Sequence, residues 1–185
     1  MGPRFAALLV YVVLGIFSSA ENAQAEPVVK FDPKRISEVR AGVFCYRSPD
    51  YVTKDPVTID GKVDRFDEAP DLVKQTQVIP AIDGLLFGVS GRGTSSSGVV
   101  VTMEVVHPPL GKTGITRETW DAWYPNDRIT MNGYTLGLDR GSPLGVWTLI
   151  AKRKGKKVYE VVFEVVEPSA SDKSLLKGCQ ELKSS

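Results

Sequence analysis

The chain has 185 residues, 42% of them hydrophobic, with 23 basic and 22 acidic side chains and one histidine. A formal charge of +1 supplies no basic surplus to neutralise phosphates, which argues against general nucleic-acid binding. Glycine (17) and proline (12) stay below low-complexity levels, and the length suits one domain with a sizeable core.

Residues 1–25 read as an export signal. Arg4 carries the positive charge, residues 5–17 are almost wholly apolar, and Ala23-Gln24-Ala25 is a small-residue cleavage site, so processing before Glu26 is expected. The apolar run, about 13 residues, falls short of the roughly 20 that span a bilayer as a helix. No later run approaches that length, so no membrane span is expected once the signal is removed. Losing Arg4 and Glu21 leaves 22 basic and 21 acidic residues, and the balance persists. Export permits disulfides, and the two cysteines, Cys45 and Cys179, are expected to form one. Closing a loop of about 135 residues contributes ~5 kcal/mol at most in the chain-entropy account.

The remaining chain alternates apolar and polar residues in short runs cut by turn residues, the pattern of antiparallel β structure. Residues 39–46 place Val39, Ala41, Val43 and Cys45 on one face, and residues 57–63 form a weaker strand broken by Asp60-Gly61. Residues 75–79 lead into Pro80, where pairing must stop or move to an edge. Leu85, Phe87 and Val89 mark another strand. A flexible loop over 91–98 then leads to the β-branched run 99–106, giving an expected hairpin. Residues 118–124 and 129–139 read as further strands, the latter with Tyr134, Leu136 and Leu138 on one face. Trp147, Leu149 and Ala151 point inward from the next. After a turn at Lys154-Gly155, Tyr159, Val161, Phe163 and Val165 return on one face while Glu160 and Glu164 point away. Pro168 ends that strand, and a short helical turn follows. Seven to nine strands of this spacing predict an all-β, immunoglobulin-like antiparallel β-sandwich. Its expected divisions are an extension over 26–37, the sandwich over 38–168 and a tail over 169–185 tethered by the disulfide.

Few constellations suggest chemistry. The single His107, ahead of Pro108-Pro109, rules out a multi-histidine metal site and leaves one base for any triad. Gly88-Val89-Ser90-Gly91 fails as a nucleophile elbow because Arg92 stands where the last glycine belongs. Gly111-Lys112-Thr113 lacks the glycine and the helix of a phosphate loop. Asp60, Asp64, Asp67, Glu68 and Asp71 crowd one region without the order of a calcium loop, and read as a solvated loop. No metal or cofactor is expected. Lys152, Arg153, Lys154, Lys156 and Lys157 surround one hairpin tip, where lysines also keep strand edges from pairing with other chains. Trp120, Trp123 and Tyr124, with Asp121 close by, are the one aromatic cluster suited to recognition. Strand parity sets Trp120 and Tyr124 on one face and Trp123 on the other.

The ordered landmarks Gly42-Val43-Phe44-Cys45, Ile79-Pro80-Ala81, Gly84-Leu85-Leu86-Phe87-Gly88, His107-Pro108-Pro109, Gly145-Val146-Trp147-Thr148 and Lys156-Lys157-Val158-Tyr159, leading to Phe163-Glu164-Val165, resemble a family of exported bacterial proteins known only as a domain of unknown function. The resemblance spans most of residues 39–166, and relatives carry a late cysteine like Cys179. It implies a bacterial, periplasmic sandwich and transfers no activity, cofactor or catalytic residue. The leading expectation is therefore a non-enzymatic protein that binds an unknown protein or cell-envelope component through loops or a sheet face. The alternative is an envelope glycan-binding protein or hydrolase using His107, Asp121 and the cluster of Trp120, Trp123 and Tyr124. A third is a structural accessory whose sheet edge adds a strand to a partner.

Overall fold

Inward side chains recur at every second residue along most of the chain, and in the computed structural model these runs become strands. The structure describes residues 29–112, 114–141, 143–172 and 174–175. The expected signal (1–25), Leu176 and Cys179 lie outside the described residues.

The described strands are β1 (Lys30–Phe31), β2 (Ile36–Phe44), β3 (Tyr51–Lys54), β4 (Lys62–Arg65), β5 (Leu72–Gln75), β6 (Val78–Pro80), β7 (Leu86–Gly93), β8 (Val99–Leu110), β9 (Ile115–Tyr124), β10 (Thr130–Thr135), β11 (Gly145–Arg153) and β12 (Lys156–Val166). One sheet runs β1-β12-β11-β8-β9, and β6 shares the outer edge of β12 with β1. The second runs β10-β7-β2-β5, and β3 and β4 pair separately as a hairpin. All pairings are antiparallel except that of β6 with β12. The two sheets face each other across one shared core as a β-sandwich.

Between them Phe87 meets Trp147 and Phe163 edge to face, at centroid separations of 5.6 and 5.1 Å, and all three are fully buried. Trp147 donates its indole N–H to the Pro143 carbonyl at 2.7 Å, so its polar atom is satisfied in the core. Lys154 (φ 48°) and Gly155 (φ 74°) turn β11 into β12 with both central residues left-handed, the geometry that matches strand twist in a two-residue hairpin. Gly88 and Gly133 oppose each other across β7 and β10, and a Cβ on Gly133 would fall 2.2 Å from the Phe87 carbonyl oxygen.

Several elements differ from the sequence reading. The strands around Phe87 and Val101 do not form a hairpin: β7 pairs with β2 and β10, β8 with β9 and β11, and the chain changes sheets between them. Alternation fixes which face a residue takes, but not which strand lies beside it. Residues 57–61 are a turn closed by Thr58 N–H to Asp55 O and Gly61 N–H to Thr58 O; the strand begins at Lys62 and pairs with the unforeseen β3. Strand β8 continues through Pro108 and Pro109 because a register shift between Val106 and Leu110 spares the prolines a donor role. Leu138 starts a short 3-10 turn and is exposed, unlike buried Tyr134 and Leu136. Within 26–37, expected as an extension, lie β1 and the start of β2. The described strands exceed seven to nine because short edge strands leave little alternation to read.

Candidate functional site

Two features meet near β9: a buried polar cluster in the sandwich and a trough outside it. On β8, inward parity continues past the β-branched run to His107, whose side chain is fully enclosed. Its Nδ1 lies 2.7 Å from the Pro108 carbonyl oxygen and its Nε2 faces the Glu118 carboxylate, two groups that can only accept, so both ring nitrogens take the donor role. Its Nε2 lies 3.2 Å from Glu118 Oε1, at ion-pair distance without the alignment of a full hydrogen bond. The imidazole stacks on Trp147 with centroids 4.7 Å apart. On β9 the inward positions are Glu118, Trp120, Ala122 and Tyr124, so Glu118 is a charge at a core parity. The other Glu118 oxygen accepts the Ile59 backbone N–H at 2.6 Å. Burial pushes the Glu118 carboxyl up, but hydrogen bonds from His107, Ile59 N–H and the Tyr134 hydroxyl together outweigh it and hold the group below its ordinary value.

Ile59 belongs to the turn joining β3 to β4, so this contact fastens the hairpin to the sandwich. Beneath the hairpin lies an inner cavity of about 430 Å³ whose walls include Glu118, Trp120 and Tyr134. An outer groove of about 270 Å³ adjoins it, and Asp64, Phe66, Met131 and Asn132 line both. Together they form one trough. Trp123 (47% exposed) and Tyr51 (54% exposed) line the outer part, with Asp64, Asp67, Asp121, Arg65 and Arg128.

The outer groove is held in shape by its own contacts. Trp123 donates its indole N–H to the Ser97 carbonyl at 3.2 Å, and the Arg128 guanidinium sits 5.5 Å from its ring centroid. Arg128 donates to the Asp67 carbonyl at 2.9 Å, tying the β4 end to the loop before β10. Arg65 donates to Thr53 Oγ1 at 3.0 Å, and Asp121 accepts from Thr102 Oγ1 at 3.1 Å. Asp64 has no hydrogen-bonding or ionic partner among the described residues and stands between inner cavity and outer groove.

The residues singled out from sequence therefore separate. Trp120 and Tyr124 point inward, Trp123 and Asp121 outward, and His107 meets Glu118 rather than Asp121. Trp120 reaches the inner cavity, Trp123 and Asp121 the outer groove, and Tyr124 is wholly core, its hydroxyl 2.7 Å from that of Tyr159. Glu118, Tyr51 and Arg128 were not foreseen, and Asp64, named among the crowded acids, was read there as part of a solvated loop. Only Glu118 left a signal: an acid sharing parity with Trp120, Ala122 and Tyr124.

At the basic tip, Lys152 and Arg117 both pair with Glu104, whose carboxyl is held low chiefly by the Lys152 hydrogen bond. Lys157 bonds Glu160 at 2.6 Å and Arg153 donates to the Val100 carbonyl at 3.4 Å. Lys154 and Lys156 are exposed and carry no such contact among the described residues. Cys45 is buried beside the end of β2, where its N–H meets the Asp71 carbonyl at 2.8 Å. Among the described residues no helix is long and apolar enough to cross a membrane.

A family model described as a domain of unknown function (DUF3859) matches residues 33–165. A crystal structure of an immunoglobulin-like protein from Pseudomonas aeruginosa is 17% identical to this chain, covering 77% of it and 99% of that protein, with a TM-score of 0.48. No curated protein matches.

Proposed function

This chain belongs to the DUF3859 family, and we propose that it is an exported, periplasmic, non-enzymatic binding module that holds a glycan of the cell envelope in the outer groove. The observation that carries this reading is the pairing of two half-exposed rings, Trp123 and Tyr51, with the carboxylates of Asp64, Asp67 and Asp121 in one groove. Aromatic faces pack against the C–H faces of sugar rings, and carboxylates accept hydroxyl protons. The indole of Trp123 is already fixed by Ser97, so little ordering remains to be done on binding.

A non-enzymatic role is supported by the enclosure of His107. A general base must reach the proton it removes, and here both ring nitrogens face groups of the protein itself. Export is supported by the signal-like leader, and in an exported chain Cys45 and Cys179, its two cysteines, would pair as a disulfide. Intact mass measured without reductant should fall two hydrogens below the dithiol value.

The binding test is cosedimentation with insoluble envelope glycan from a Gram-negative cell. Full-length protein purified as it accumulates should pellet with the glycan, and Trp123→Ala should remain in the supernatant. Equal pelleting of both proteins, or of neither, counts against the reading.

A further inference from the structure

The end of the sandwich that bears the β11–β12 turn gathers positive charge from two connections. The β1–β2 turn supplies Lys34 and Arg35, and its Asp32 N–H meets the Val158 carbonyl at 2.7 Å, which sets it beside the start of β12. There Lys154 and Lys156 project, and all four basic residues are exposed. None of the four has an ionic partner among the described residues, and the acid of the β1–β2 turn, Asp32, accepts the Lys34 backbone N–H at 3.0 Å. The loop over 94–98 braces this turn: the Thr94 N–H meets the Arg35 carbonyl at 3.1 Å and its hydroxyl the Lys34 carbonyl at 2.7 Å. The basic surface is therefore shaped by the fold itself.

Protection of a strand edge does not account for these charges. Strand β11 lies between β8 and β12, and the outer edge of β12 is taken by β1 and β6, so little free edge reaches this tip. Local stability does not account for them either. Arg153 and Lys156 are cross-strand partners, as are Lys152 and Lys157, and like charges set opposite each other destabilise a hairpin. Glu104 and Glu160 offset the second pair, whereas Arg153 reaches only the Val100 carbonyl and Lys156 has no such contact among the described residues. Cations on turns from separate strand pairs can all touch one flat anionic surface, each strengthening binding about 5-fold. Phe31 and Pro33, on either side of Asp32, are exposed as well, and a bilayer interface receives apolar side chains that a soluble polyanion does not. We propose that this end of the sandwich is a docking surface for an anionic lipid bilayer, held by Lys34, Arg35, Lys154 and Lys156.

The test is cosedimentation of the full-length protein with phosphatidylcholine vesicles, with and without about 30% phosphatidylglycerol. The apolar run over 5–17 would act on both vesicles alike, so the readout is the difference between them. The protein should pellet with the anionic vesicles and be released at about 500 mM salt, where screening shortens the reach of charge. Lys34→Glu with Lys156→Glu should weaken this binding about 25-fold or more while circular dichroism is unchanged. Lys74→Glu with Lys112→Glu makes the same change of net charge on β5 and on the β8–β9 turn, away from this end, and should bind as the unaltered protein does. Trp123→Ala should dock normally, which separates this surface from the outer groove. Equal pelleting with both vesicles or with neither, equal weakening in the two double variants, or capture of soluble polyphosphate without vesicle binding would overturn the assignment.

Discussion

His107 and Glu118 approach to 3.2 Å across neighbouring strands β8 and β9, inside a layer otherwise filled by Trp147, Tyr134 and aliphatic side chains. Removing one member leaves the other buried and uncompensated. Glu118→Ala should cost about 3–5 kcal/mol, read from the urea midpoint. Replacing both, as His107→Phe with Glu118→Leu, should recover most of that loss. If the double variant is as unstable as the sum of the singles, the two residues are not coupled.

Acid should weaken the fold through the same carboxylate. The folded-state value of Glu118 lies below its unfolded value near 4.5, so its contribution is complete above that pH and is lost as pH falls through the folded value. Glu104 shifts in the same direction, and Asp50, held at about 2 by Arg47, extends the decline further down. A plot of unfolding free energy against pH should therefore slope downward below about 4.5. In folded Glu118→Gln the slope should be shallower, and an unchanged slope would show that the carboxylate is not ionised in the fold.

Alkali should act at the opposite end of the sandwich. Burial pushes Tyr124 up to about 12 and Tyr159 well above 10. Folded-state values raised in this way leave stability intact below pH 10 and remove it as pH climbs toward 12. Tyrosinate absorbance should show these two groups ionising only together with unfolding. Reversible ionisation in the native state would contradict their placement.

Trp147 and Trp123 separate stability from binding. Trp147 is fully buried against Phe87, His107 and Tyr134, so Trp147→Ala should cost about 3–5 kcal/mol. Trp123→Ala should move stability by no more than ~0.5–1 kcal/mol while abolishing glycan association. The reverse order in thermal unfolding would contradict the sheet assignments.

Lys154 occupies a left-handed conformation at the first central position of the β11–β12 turn. Asparagine tolerates that conformation better, so Lys154→Asn should raise stability by about 0.5 kcal/mol. A loss of stability would indicate that the lysine makes a contact outweighing the backbone strain.

Much of the sandwich is legible in the sequence where a strand buries one face. Trp147, Leu149, Tyr159, Val161 and Phe163 follow a period of two without interruption, and all are buried. The parity of Trp120, Trp123 and Tyr124 was readable for the same reason. Strand partners were not, since alternation is indifferent to which neighbour lies alongside, and β7 and β8 went to different sheets. The trough was less visible still. Tyr51, Asp64 and Arg128 come from a hairpin with largely exposed residues and from a loop, where side chains follow no burial period. The group around His107 was half legible: the histidine was conspicuous, but Asp121 is the nearer acid to the exposed cluster, and strand parity turns Glu118 inward instead.

The chain contains three tryptophans, one in each setting: Trp123 in the outer groove, Trp120 at the inner cavity and Trp147 in the core. Their indole N–H resonances give three separate reporters in a nitrogen-15 correlation spectrum. On titration with soluble envelope glycan fragments, the Trp123 signal should shift progressively while that of Trp147 stays fixed. A spectrum in which Trp123 does not move, or in which Trp147 moves first, would contradict the proposal that this groove holds the ligand.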